Sequence, residues 1–216
     1  MEKYIILIFG LLAGSAYGSQ EEAFRAGQDA FFQGNHVVAR ERFEEAAQLG
    51  FVPAQSALCN MYRLGQGGSQ IFGRALNLCL EAANKDDAPA QWILGIMHER
   101  GQGVPMDFSR AAFWYRRAAE QGDGFAQHDL ARLYELGRGV GEDPIEAYKW
   151  YNVSAANNRL LRVMPSASAH NRDRLAQRMT PEQIATAQAR ASAWRPNAPA
   201  VSQDAFALPD PTAPRR

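Results

Sequence analysis

Cysteine is scarce, charge of either sign is balanced, and beyond the N-terminus no apolar run is long enough to cross a bilayer. Lys and Arg together number 23, as do Asp and Glu, so net charge gives no pull toward nucleic acid or an anionic membrane. The four histidines, His36, His98, His128 and His170, stand at no metal-ligand spacing from one another or from a cysteine or carboxylate cluster, and no metal site is expected. No G-x-S-x-G or phosphate-loop pattern occurs, and S-x-x-K with its partner motifs is missing, so neither a catalytic constellation nor a cofactor is expected. What remains is 216 residues, 46% hydrophobic and 21% charged, enough apolar material for one ordinary domain.

The N-terminus reads as an export signal occupying residues 1–18. Lys3 precedes an apolar run from Tyr4 to Ala13, and Ala16 and Gly18 are spaced as at a signal-peptidase site. The run is about half the ~20 residues that a spanning helix needs. No cysteine follows it, which argues against a lipid anchor. Cleavage after Gly18 would leave a mature chain without a membrane span, periplasmic or secreted.

The rest of the chain repeats. Segments beginning at Pro53, Pro89 and Phe125 align at a constant offset of 36 residues, bringing together Ala54, Ala90 and Ala126, then Gln55, Gln91 and Gln127, then Leu58, Leu94 and Leu130. The glycine pairs Gly65/Gly67, Gly101/Gly103 and Gly137/Gly139 fall in register, as do Ala75, Ala111 and Ala147 further on. Apolar positions recur three and four apart, as in Ile93, Leu94 and Met97, so each unit is two helices turned by its glycines. Asp107 and Asp143 stand where second helices begin; Asp143-Pro144-Ile145-Glu146 reads as a capping box, and Ile71 occupies that place one repeat earlier. The recurring alanines let paired helices approach, and Trp114, Tyr115, Trp150 and Tyr151 are expected to fill the space between neighbouring hairpins.

The pattern A-x-x-x-L-G-x-M-x-x-x-G-x-G-V followed by D-x-x-x-A-x-x-W-x-x-x-A-A resembles the Sel-one-like repeat (SLR), a tetratricopeptide relative, over about residues 53 to 158. The resemblance implies an all-α fold, a right-handed superhelical α/α solenoid of tandem helix-turn-helix repeats, acting as an adaptor. The helical domain is expected over 19–195, with repeats near 21–50, 53–88, 89–124 and 125–158. Residues 26–47 resemble the shorter tetratricopeptide form, and 165–195 resemble the closing helices of such arrays, with Thr180 as cap and Gln183 completing a capping box. Residues 196–216, rich in proline and alanine without apolar periodicity, read as a disordered tail.

Cys59 and Cys79 lie on the two helices of one repeat. They form either a disulfide, permitted by an oxidising compartment, or two buried thiols. In tetratricopeptide arrays the first helix of each unit lines a concave groove. The positions here that are neither core nor turn are Ser56, Asn60 and Arg63, then Trp92, Ile96 and Glu99, then His128, Arg132 and Glu135. Trp92, whose equivalents are Ser56 and His128, is either a groove anchor or covered by the closing helices. The function expected is a non-catalytic, monomeric periplasmic or secreted adaptor for a protein or extended peptide. The alternative is a cell-wall hydrolase or glycopeptide-binding protein, since a β-lactamase-like activity is attached to some SLR proteins.

Overall fold

The computed structural model describes residues 18–157 and 165–197. The expected signal segment, apart from Gly18, and the tail from residue 198 onward lie outside the described residues. Those described are helical throughout, without a strand, and no helix among them is long and apolar enough to cross a membrane. They form two compact units, 18–85 and 86–157 with 165–197, divided at the junction of two repeats. The composition suggested one domain; in repeat chains contacts run between neighbouring hairpins, so a junction is where a division falls.

The first unit holds α1 (18–32), α2 (His36–Gln48), α3 (Val52–Leu64) and α4 (Phe72–Ala83). Asn35 caps α2, its side chain accepting from the Val38 N–H. Phe24 and Phe43 pack at 5.4 Å, and Phe24 meets Phe51 edge-on at 5.1 Å, which ties the first hairpin to the start of α3. Gly65 ends α3 in the left-handed conformation. Gly67 has a second reason to lack a side chain: a β-carbon there would strike the carbonyl of His36, at the start of α2. Helix α4 begins after Ile71 without a side-chain cap, as an apolar residue at that place must. A disulfide joins Cys59 of α3 to Cys79 of α4, with Cα atoms 5.5 Å apart.

The second unit holds α5 (Ala88–Arg100), α6 (Phe108–Glu120), α7 (Gly124–Leu136), α8 (Pro144–Ala156), α9 (Pro165–Ala176) and α10 (Pro181–Ala193). Ala111 and Ala147 are fully buried, letting α6 and α8 lie close to their partner helices. Asp107 accepts from the Arg110 N–H and Asp143 from those of Ile145 and Glu146. Two further caps, not singled out in the sequence, stand one repeat apart at the starts of α5 and α7: Asp87 accepts from Ala90 N–H and Asp123 from Ala126 N–H. The expected box at Asp143 is only half made, because the Glu146 carboxylate accepts instead from Lys149 and Arg190. Thr180 and Gln183 do form a full capping box. Helices α9 and α10 pack on α8, burying Leu175 and Ala187.

The aromatic residues depart in part from expectation. Tyr115 lies within its own hairpin, its ring against Gly95 so closely that a β-carbon on the glycine would overlap it. Trp114 is half-buried, beside the exposed Phe113 and the Arg117 guanidinium. Trp150 is buried and meets Trp194, which follows α10.

Candidate functional site

In the first unit the three positions expected on the binding face are turned inward or engaged. Ser56 is fully buried, its hydroxyl donating to the Pro53 carbonyl at 3.0 Å. Arg63 is buried and its guanidinium donates to Asn60 Oδ1 at 2.7 Å, leaving Asn60 half-buried beside it.

In the second unit the expected positions of α5 and α7 come together into a connected network. The Trp92 indole N–H donates to Asp129 at 2.9 Å, and its ring stacks on Phe125 with centroids 5.0 Å apart and planes 26° from parallel. Arg132 donates to both carboxylate oxygens of Glu99, at 2.6 and 2.7 Å, and lies 3.6 Å from Asp129. From behind, the Tyr115 hydroxyl donates to Glu99 at 2.7 Å. Trp92 and Glu99 are half-buried, whereas Ile96, between them on α5, is buried.

At the far edge of this face the closing helix α9 takes over. His128 Nδ1 lies 2.8 Å from the Ser168 hydroxyl, which lies 2.9 Å from that of Ser154, and Ser154 donates to the Gly124 carbonyl. Both serines are fully buried, so this chain pins α9 to α7 and α8 and presents no nucleophile to a substrate. Glu135, also buried, accepts from the Tyr151 hydroxyl at 2.9 Å, from Arg178 at 2.8 Å and from Arg174 at 3.0 Å.

The electrostatics follow from this burial. Desolvation pushes the Asp129 carboxyl above its usual range, against the Trp92 hydrogen bond and the Arg132 charge. Desolvation likewise holds the His128 imidazole below its ordinary value. Burial, with the neighbouring carboxylates, pushes the Tyr115 and Tyr151 hydroxyls upward, so both stay protonated donors to Glu99 and Glu135. Among the described residues no group of three or more metal-ligating side chains converges.

The expected positions therefore divide. Trp92, Glu99, His128 and Arg132 keep partial exposure on one face, with Asn60 half-buried in the other unit; Ser56, Arg63, Ile96 and Glu135 are buried. Asp129, central to the network, is missed by the alignment. Its place one turn after Phe125 and three residues before Arg132 is the signal that was available.

Comparison with known proteins places these hairpins. The Sel1 repeat model matches residues 52–87, 88–123 and 124–158. The structure is similar to that of a Sel1 repeat protein from Oxalobacter formigenes, with a TM-score of 0.59, 24% identity and coverage of 81% of this chain and 85% of that one. It is similar also to c5321, a protective antigen of uropathogenic Escherichia coli strains displaying an SLR fold, with a TM-score of 0.55 and 24% identity. That likeness covers 83% of this chain but only 46% of the antigen, so the chain spans about half of that protein's length. A third similar structure is a putative sel1 repeat protein from Klebsiella pneumoniae, with a TM-score of 0.50, 20% identity and coverage of 75% of this chain and 80% of that one. At these identities the likeness is one of fold alone, and no curated protein matches the chain. With three consecutive 35- or 36-residue units matched and all-α hairpins built as such units are, the chain belongs to the Sel1 repeat proteins.

Proposed function

We propose that the chain is an exported, non-catalytic adaptor that binds a protein or peptide segment on the face shared by α5 and α7. Sel1 repeat proteins typically mediate protein–protein interaction. The observation that carries the proposal is Trp92. It is a half-exposed tryptophan where the other repeats have Ser56 and His128, its ring fixed by Phe125 and its N–H by Asp129. A large ring immobilised before binding loses little entropy when a partner covers it, which is how interface anchors gain affinity. Export is supported by the N-terminal pattern of Lys3, the apolar run and Gly18, and by the Cys59–Cys79 disulfide, a bond that persists in oxidising compartments.

The test is affinity capture by the full chain, expressed with its N-terminal segment and recovered from the periplasm. The expected result is a protein recovered by the wild type, lost with Trp92→Ala and retained by the exposed-surface control Glu142→Ala. Equal recovery by both variants would move binding away from this face. An empty capture, with hydrolysis of cell-wall glycopeptide by the purified chain, would replace the adaptor by an enzyme.

A further inference from the structure

We infer that the α5–α7 face receives an arginine side chain of its partner, the guanidinium lying on the Trp92 indole and against the Asp129 and Glu99 carboxylates. The inference rests on the adaptor reading and specifies the chemistry of what is bound.

Two glutamates of the second unit stand in the same repeat position. Each of them, Glu99 and Glu135, accepts a hydrogen bond from a tyrosine hydroxyl of its own hairpin. In front of Glu135 the helix α9 and the turn after it lay two arginines, Arg174 and Arg178, four residues apart, and both reach the carboxylate. Around Glu99 the ratio is reversed. Among the described residues, Arg132 alone serves both Glu99 and Asp129, bonding the first and standing 3.6 Å from the second. One position thus shows two guanidiniums supplied to a single carboxylate, while its neighbour offers two carboxylates to a single guanidinium.

The side chains of this second group remain reachable: those of Glu99, Asp129 and Arg132 are 15%, 22% and 29% exposed. Beside them stands the half-exposed indole, with one face on Phe125. An indole face attracts a cation, and a planar guanidinium can stack on it while its N–H groups fork toward carboxylate oxygens. A lysine ammonium can do the first but lacks the planar fork, so the site favours arginine. An acidic partner would meet two carboxylates and gain only Arg132, which they already hold. Desolvation at Asp129, which raises its carboxyl, acts in the same sense, because an added cation would relieve it.

The test uses the purified full chain and three end-blocked, dye-labelled probes, hexa-arginine, hexa-lysine and hexa-glutamate, read by fluorescence anisotropy at about 0.15 M salt. The expected order is arginine tighter than lysine, with no binding of glutamate. Trp92→Leu and Asp129→Asn are each expected to weaken hexa-arginine by about tenfold. Asp173→Asn, which removes an exposed carboxylate of α9, should change it less than about twofold. Arg132→Gln frees both carboxylates and should bind hexa-arginine at least as tightly as the wild type; circular dichroism establishes that each variant is folded. Trp92→Leu decides the matter should a carboxylate variant not fold. The inference is overturned by absence of hexa-arginine binding, by equal losses in Asp129→Asn and Asp173→Asn, or by tighter binding of hexa-glutamate. If the periplasmic partner is still captured through Trp92 while hexa-arginine does not bind, the adaptor reading survives and the arginine site does not. Hexa-arginine binding without any captured partner separates the two the other way.

Discussion

Gly95 of α5 lies flat against the ring of Tyr115 of α6, leaving no room for a β-carbon. The same contact occurs in the first hairpin, where Gly27 meets the ring of Phe43. Between them in sequence, the corresponding pair is Cys59 and Cys79, so a covalent bond stands where the neighbouring hairpins use a small residue under an aromatic ring. Gly95→Ala should therefore displace Tyr115 and strain its bond to Glu99. A loss of about 1–3 kcal/mol is expected from overpacking, measured as a lower urea midpoint.

The disulfide closes a sequence separation of 20 residues, for which loop entropy predicts about 3 kcal/mol. Cys59→Ala with Cys79→Ala should lower the unfolding free energy by that order and make the chain insensitive to reductant. Urea unfolding with and without dithiothreitol checks both. The alternative pair Cys59→Gly with Cys79→Tyr should recover part of the loss only when Arg63→Glu supplies an acceptor for the new hydroxyl, as Glu99 and Glu135 do for the native tyrosines.

Asp123 caps α7 yet is buried. Desolvation, with Asp129 and Asp87 nearby, pushes its carboxyl up to about 7 in spite of the Ala126 N–H. A carboxyl raised on folding is protonated in the native state over a pH range where the unfolded chain has already ionised. Stability is then greatest below about pH 4 for this group and falls as pH rises toward 7. Asp123→Asn keeps a capping oxygen without the charge, so the decline between about pH 4 and 7, on the order of a few kcal/mol, should flatten. Urea titrations at several pH values give the answer, and an unchanged slope in the variant would refute the assignment.

Glu135 holds Tyr151, Arg174 and Arg178 at once. Glu135→Gln removes the charge that binds α9 and should cost about 2–3 kcal/mol, the range for charge-assisted bonds at a buried acceptor. Hydrogen exchange should rise over 165–193 and stay unchanged over α5 and α6. A uniform rise across the whole second unit would mean that α9 and the hairpins open together.

Much of the fold can be read from local chemistry. The glycine pairs, the Asp107 and Asp143 caps, and the Thr180 box each depend on a few consecutive residues, so they are legible in the sequence. The face is different, because whether a polar residue of a first helix meets solvent depends on what the next element brings. Ser56 turns back to its own Pro53 carbonyl, and Glu135 is covered by arginines about 40 residues further along. Asp129 acquires its importance only when Trp92, one repeat earlier, is placed beside it. Glu146 could have closed a capping box but found cations in Lys149 and Arg190.

The second glycine of a turn rests on its predecessor, Gly67 on the backbone of His36 and Gly139 on that of Phe108. These two turns, each within its own unit, are thus moulded against the hairpin before them, so the spacing between those hairpins is a tolerance rather than a habit. A chain built this way can gain or lose material in whole 36-residue modules, whereas a shorter insertion within a hairpin would carry the glycine off its seat. The inheritable quantum of this architecture is the complete hairpin.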